Sequence, residues 1–268
     1  KWAKKKGFKN HFYISPQVWA WKENRVHQMK RDLDELYVIL PFEKEFFEKN
    51  HKFPVKYVGH PLLDWVMLRK KPTGFLAKNQ LSETKPLIAL LPGSRLQEIK
   101  KILPTYLTVT KYFPRYEFVI AGAPGIAPNE YDHFLKNEEV KLIYNQTYDL
   151  LMHSRAALVS SGTATLETAL FNVPQVVCYR SSFLSYQIAK RLVKLEFISL
   201  VNLILNREVV KELIQNSFTP YELKKQMAFI LSDEGQKQLK ADYQSLRLIL
   251  GKGGASKKTA ELIFKAIK

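Results

Sequence analysis

Between residues 85 and 180, short apolar runs alternate with amphipathic stretches, and that alternation predicts a fold. Leu87-Ile88-Ala89-Leu90-Leu91 is apolar throughout rather than at every second position, as expected of a strand buried on both faces. The turn Pro92-Gly93-Ser94-Arg95 leads into helical spacing from Leu96 to Tyr112. Further strands are expected at Glu117–Ala121, Val140–Tyr144, Ala156–Ser160 and Gln175–Tyr179. Helices are expected between them at Tyr131–Lys136, Tyr148–Ser154 and Thr163–Phe171. Strand and helix in repeated alternation imply a parallel sheet covered on both sides, an α/β domain of the Rossmann-like kind.

The first sixty residues carry the same pattern on a smaller scale. Strands are expected at Phe12–Ile14, Leu36–Leu40 and Val55–Val58, with helices at Glu23–Arg31 and Phe42–Asn50. Three strands leave the faces of a parallel sheet poorly covered, so the reading takes residues 1–60 as part of a larger domain whose first half is absent. Gly59-His60-Pro61 breaks the pattern, and 61–84 is read as a linker. Residues 85–205 form the second Rossmann-like domain. Beyond Arg180 no further strand is expected. Phe183–Lys194, Arg207–Ile214, Pro220–Leu231, Glu234–Leu250 and Ala255–Lys268 all have helical spacing, and 206–268 is read as a helical C-terminal segment. Gly251-Lys252-Gly253-Gly254 would let the last helix reach elsewhere.

Composition removes several function classes. Of 268 residues, 46% are hydrophobic and 25% charged, values of a folded globular protein rather than a disordered one. A single cysteine, Cys178, offers neither an internal disulfide nor a zinc framework and suits a small core residue in an intracellular protein. No apolar run approaches the roughly 18 residues of a membrane span. The net charge of +17 is uneven: +9 over residues 1–80, +3 over 81–200 and +5 over 201–268. Basic ends around a balanced middle suit an anionic membrane face or nucleic acid, and equally a generally basic proteome.

Two strand-to-helix turns carry the candidate chemistry. In open α/β sheets ligands bind beyond the carboxyl ends of the strands. Gly93 and Ser94 let a phosphate approach the backbone at a helix N-terminus, and Arg95 adds a planar fork suited to a diphosphate. A plain turn with a surface arginine fits the same residues. In Ser160-Ser161-Gly162-Thr163-Ala164-Thr165-Leu166-Glu167, small residues leave a second helix N-terminus open, and Glu167 is placed to accept bonds from ribose hydroxyls. Ser161 acting simply as an N-cap is the alternative. Two such turns in one sheet, without a Walker lysine or GxGxxG, point to a nucleotide held without metal. Asp32-Leu33-Asp34 has the spacing of a metal-binding carboxylate pair but lies far from both turns, and the six histidines show no ligand spacing.

Several stretches resemble one known family when taken in order. They are Ile14-Ser15-Pro16-Gln17-Val18-Trp19-Ala20-Trp21, Leu40-Pro41-Phe42-Glu43-Lys44, Val58-Gly59-His60-Pro61, Leu91-Pro92-Gly93-Ser94-Arg95, Ser161-Gly162-Thr163-Ala164-Thr165-Leu166-Glu167 and Ala189-Lys190-Arg191-Leu192-Val193-Lys194. Together they are similar to lipid-A-disaccharide synthase over essentially the whole chain. The resemblance implies a GT-B fold, two Rossmann-like domains facing each other, and inverting glycosyl transfer. A 2,3-diacylglucosamine unit would pass from its UDP derivative to 2,3-diacylglucosamine 1-phosphate, releasing UDP and requiring no cofactor. It further implies nucleotide contacts from Gly93, Ser94, Arg95, Ser161, Gly162, Thr163, Ala164, Glu167 and Asn202, with Arg191 and Lys194 near phosphates or headgroups. Val201 stands where the family usually has proline. The family's proposed general base, an aspartate, falls before Lys1, so no catalytic residue is assigned, and the chain alone is expected to be silent in turnover and prone to self-association.

Acylated substrates imply work at the cytoplasmic face of a bacterial inner membrane, which gives the basic ends a purpose. Homo-oligomers are among the partners expected. Another GT-B enzyme, a UDP-GlcNAc transferase or epimerase, is the nearest alternative and should lack SPQVWAW. A basic nucleic-acid-binding protein is the alternative from another class, opposed by the balanced central segment and the absence of RNP, KH or helix-turn-helix signatures. Trp19 and Trp21, with Tyr13 and Val18, fit core packing as well as acyl contact, Phe42, Phe46 and Phe47 mark the buried face of a helix, and His60 fits a local cap as well as a place near an interdomain cleft.

Overall fold

The computed structural model describes residues 1–136, 138–182 and 196–267. The chain divides into two units. One is built mainly from residues 1–69 and 246–267, the other from 70–182 and 197–245.

In the first unit a short helix, α1 (Trp2–Lys5), precedes β1 (His11–Tyr13), α2 (Arg25–Asp32), β2 (Glu35–Val38), α3 (Pro41–Glu45) and β3 (Lys56–Tyr57). The strands are parallel in the order β1-β2-β3, with His11 opposite Glu35 and Tyr37 opposite Lys56. Val26 and Met29 of α2 pack with Leu36, Val38, Phe47 and Phe53 in the unit's core. The helix expected over Phe42–Asn50 is α-helical only to Glu45 and continues as a π-helical turn over Phe46–Asn50, which carries Phe47 into the core. Among the described residues β1 pairs with β2 alone, and Phe12 on it is exposed.

One carboxylate organises the strand ends of this unit. Glu43 is almost wholly buried; its Oε2 accepts from the Ile39 and Leu40 amides at 3.1 and 2.9 Å. Its Oε1 accepts from the Trp19 indole at 3.1 Å, and Trp19 meets Phe42 edge-on at 4.9 Å. The SPQVWAW loop is thus pinned to the turn after β2. Trp21, by contrast, is 47% exposed under the Lys22 ammonium.

The stretch 61–84, expected to be linker, contains α4 (Pro61–Leu68) and α5 (Phe75–Lys78). Gly59-His60-Pro61 is a helix start rather than a break. His60 Nδ1 accepts from the Leu62 amide at 3.2 Å and Pro61 occupies the first helical position. That acceptor role needs a neutral ring, and burial pushes the His60 pKa down to about 4.

The second unit opens with β4 (Leu87–Leu91), all five residues buried, and continues as α6 (Leu96–Thr110), β5 (Glu117–Gly122), α7 (Asn129–Leu135) and β6 (Lys141–Tyr144). α8 (Thr147–His153), β7 (Ser154–Ser160), α9 (Thr163–Leu170) and β8 (Gln175–Tyr179) follow. The expectation that strands end at Arg180 is wrong. After α10 (Leu200–Leu205), β9 (Glu212–Ile214) adds a sixth parallel strand beside β8 where a helix over Arg207–Ile214 was expected. The order is β6-β5-β4-β7-β8-β9, so the winding reverses at β4, which pairs with both β5 and β7. Cys178 is fully buried on β8 and its thiol is pushed well above the usual range.

The last helices are α11 (Pro220–Leu231), α12 (Asp233–Leu250) and α13 (Ala255–Ile267). They do not form one segment: residues from 246 onward belong with the first unit. There α13 packs against α4, and the Asp64 carboxylate receives the Gly254 amide and, at 3.4 Å, that of Ser256. The glycine joint therefore ends in a capped helix. Asp64→Ala should loosen it at a cost of about 1 kcal/mol. Hydrogen exchange by mass spectrometry should then show faster exchange over 254–262 with β4 and β7 unchanged.

Candidate functional site

A reversal of winding in a parallel sheet opens a crevice at the carboxyl ends of the central strands. Here a pocket of about 380 Å³ lies there, lined by the turns after β4, β5 and β7. Gly93, Ser94, Arg95, Ser161, Gly162, Thr163, Ala164 and Glu167 all line it, so two turns separated by some seventy residues in sequence meet at one wall.

The two helix N-termini at this wall differ. At α6, Glu98 folds back over its own helix: Oε2 accepts from the Ser94 and Arg95 amides at 3.1 and 3.3 Å, and Oε1 accepts from Arg95 Nη1 at 3.2 Å. Gly93 is required beside it, because its φ is 123° and a Cβ there would stand 2.6 Å from Glu98 Oε2. The Arg95 side chain is 81% exposed, so its pairing with Glu98 is a weak surface contact that leaves the fork able to turn. At α9 no side chain caps the first turn, and a Cβ on Gly162 would meet nothing within 4 Å. Gly162, Thr163 and Ala164 line the pocket there, at the partially positive start of a helix.

Glu167 stands one turn into α9. Burial holds its pKa above the ordinary carboxylate value, an effect the nearby Tyr148 and Thr163 hydroxyls offset in part. Opposite, Gly122 ends β5 where the Tyr144 ring crosses the backbone; a Cβ would lie 2.6 Å from that ring. Glu98, Gly122 and Tyr148 were not singled out from the sequence. Only Glu98 left a signal there, the acidic residue three positions after a helix start that marks a capping box.

Asn202 is not in the pocket wall. It is fully buried, and its amide is consumed locally: Oδ1 accepts from Val209 and Val210 amides at 2.8 and 2.9 Å, and Nδ2 donates to Val210 O and Glu212 Oε1. Glu212 also accepts from the Ile198 and Ser199 amides, both at 2.9 Å. Asn202 is therefore a rivet between α10 and the approach to β9. Arg191 and Lys194 lie outside the described residues. Among the described residues no group of three or more His, Cys, Asp or Glu side chains is arranged to hold a metal.

The family model for lipid-A-disaccharide synthetase matches residues 1–267. Lipid-A-disaccharide synthase from Trichlorobacter lovleyi is 35% identical over 275 residues, spanning 100% of this chain and 72% of the relative. That from Persephonella marina is 36% identical over 276 residues, spanning 98% and 73%. Among solved structures, UDP-GlcNAc 2-epimerase from Neisseria meningitidis bound to UDP-GlcNAc aligns with a TM-score of 0.65 at 15% identity, covering 98% of this chain and 71% of that one. The glycotransferase of kitacinnamycin aligns at 0.59 and 13%, covering 98% and 72%. At such identities these likenesses carry the fold, two Rossmann-like units of the GT-B class.

Two substitutions separate scaffold from site. Asn202→Ala leaves two buried amides and a carbonyl without partners and should lower stability by roughly 2–4 kcal/mol. Glu98→Ala removes a cap and should cost about 1 kcal/mol. Urea unfolding midpoints measure both, and equal losses would remove the distinction.

Proposed function

The chain belongs to the lipid-A-disaccharide synthase family, and we propose that it holds the UDP moiety of the donor in the pocket at the carboxyl ends of β4 and β7. The family's reaction is glycosyl transfer in lipid A biosynthesis. The 2,3-diacylglucosamine of a UDP donor passes to 2,3-diacylglucosamine 1-phosphate, yielding lipid A disaccharide 1-phosphate and UDP. One observation carries the placement. Eight residues from two distant turns, each suited to an anion or a ribose, converge on a single wall.

The chemistry follows from that wall. The acceptor hydroxyl attacks the anomeric carbon, the bond from that carbon to the β-phosphate oxygen breaks, and the hydroxyl proton passes to a general base. Negative charge grows on the departing diphosphate. The open amides of α9 and the Arg95 guanidinium are preorganised donors for that charge, so they favour the transition state more than the ground state. Glu167 accepts from the ribose hydroxyls in its ionised form. The first unit takes the acceptor side, its SPQVWAW loop lying at the carboxyl end of β1. Asn202 supports this site from beneath through the backbone at 198–212.

Both substrates carry acyl chains, and clustered Lys and Arg gain about 1 kcal/mol each near an anionic surface. Lys4, Lys5, Lys6 and Lys9, beside the exposed Trp2 and Phe8, give the first unit a basic, partly aromatic surface. We assign it to the cytoplasmic face of the inner membrane. Among the described residues no helix is long and apolar enough to cross a membrane.

Calorimetry with UDP tests the placement. Arg95→Ala should weaken binding by roughly 1.5–3 kcal/mol, the loss of a charge-assisted contact. Unchanged affinity would remove Arg95 from the site. Since helix amides and Arg95 supply the positive charge, EDTA should leave UDP affinity unaltered. Affinity that vanished in EDTA and returned with magnesium would overturn that account.

A further inference from the structure

The amino ends of the six-stranded sheet border a second cavity. Its volume is about 320 Å³, and every residue that lines it belongs to the second unit. Pro86 before β4, Ser154 and Arg155 at the start of β7, and Asn172 before β8 form part of its wall. β7 runs its whole length from this cavity to the nucleotide pocket, so the two lie roughly 20 Å apart at opposite rims. Lys71, Arg155 and Lys240 line the cavity with His153, and among the described residues no Asp or Glu does.

These cations are not spent on the fold. α8 and α9 both end near this rim, each with a partial charge of about −0.5, so basic residues could serve merely to answer their last carbonyls. Those carbonyls already have partners. At α8, His153 Nδ1 donates to Asp149 O and Ser154 Oγ to Leu150 O, both at 2.7 Å, and the Ser154 amide takes Leu151 O. At α9 the amides of Phe171, Asn172 and Val173 donate to the carbonyls of Glu167, Ala169 and Thr168 at 3.0, 2.9 and 3.1 Å. The Lys71 and Lys240 ammonium groups have no ion pair or hydrogen bond among the described residues. Arg155 lies 3.8 Å from the fully exposed Asp233 carboxylate, a weak surface pairing. Three permanent cations against two half charges and one exposed carboxylate leave the cavity positive.

The wall that carries them is fixed from behind. Gln236 is 4% exposed, and its Nε2 donates to Arg155 O at 3.1 Å and Ile230 O at 2.6 Å. It thus ties the start of β7 to α12, one turn before Lys240. His153 is stacked on Phe75 at 4.6 Å. Gln236 Oε1, in the same wall, is enclosed without a partner among the described residues. Buried acceptors are normally paired, by protein or by a bound molecule, and a protonated phosphate oxygen or a water bridging to it would supply the donor. We propose that this cavity is a phosphate-binding site, which takes a phosphate or phosphomonoester group, free or as a lipid headgroup, between Lys71, Arg155 and Lys240.

Calorimetry with inorganic phosphate in low-salt buffer tests the site on four proteins: the wild-type chain, Lys71→Gln/Lys240→Gln, Lys224→Gln/Lys225→Gln and Arg95→Ala. The second lysine pair removes the same charge elsewhere, on α11, and Arg95→Ala alters the other rim. Lys71→Gln/Lys240→Gln should weaken phosphate about 10- to 100-fold, the loss of two charge-assisted bonds, while the other two variants stay near wild type. Cosedimentation with phosphatidylcholine vesicles, with and without phosphatidic acid, separates the sources. Phosphatidic-acid-dependent sedimentation lost in the Lys71/Lys240 variant alone identifies a headgroup ligand; sedimentation unchanged while free phosphate binding is lost identifies a soluble one. Equal losses in both lysine pairs would reduce the effect to net charge and overturn the site. Phosphate binding abolished by Arg95→Ala but kept by the Lys71/Lys240 variant would assign the anion to the nucleotide pocket and overturn it as well. So would a wild-type chain that binds neither phosphate nor phosphatidic acid.

Discussion

A parallel strand buried on both faces can present chemistry only at its ends. β4 is such a strand, five apolar residues with neighbours on either side and helices above and below. Its hydrogen-bonding edges are fully taken by β5 and β7, and its side chains are committed to the core. Polar function is thereby pushed into the turns that leave the strands, and parallel pairing gathers those turns at one rim. Convergence of the PGSR and SGTATLE turns is a consequence of this constraint. The chain needs no special contact to bring them together.

The same constraint explains what the sequence disclosed. β4 and β8 were legible to the residue, because an uninterrupted apolar run bounded by Pro or Gly has few other readings. The pocket residues were legible because glycine and small residues after such a strand have a physical purpose. β9 was not. Glu212-Leu213-Ile214 is too short to show a period, and it forms beside β8 partly because Asn202 gathers the Val209 and Val210 amides from a distance. Asn202 itself was expected in the nucleotide site on resemblance alone. A polar residue between Val201 and Leu203 looks the same in sequence whether it meets a ligand or the backbone, and burial decides which.

Buried polar groups recur where the units must be specific rather than merely stable. Glu43 and Glu167 are both carboxylates held above their ordinary pKa by burial, each relieved by hydrogen bonds from the protein. They differ in what remains unspent. Glu43 is met by two amides and an indole, which fixes a loop. Glu167 instead lines an open pocket, with burial as the main influence on its pKa. That difference separates a carboxylate committed to the scaffold from one that faces open space.

The bond from Gly254 to Asp64 joins residues 190 positions apart. On a ribosome adding roughly 5–20 residues each second, the later partner follows the earlier by about 10–40 s. During that interval α4 is made but its packing helix α13 is not, while strands β4 to β9 are synthesised one after another. Order of synthesis therefore favours completion of the second unit first. Until α13 arrives, the face of α4 that it covers stays unpaired.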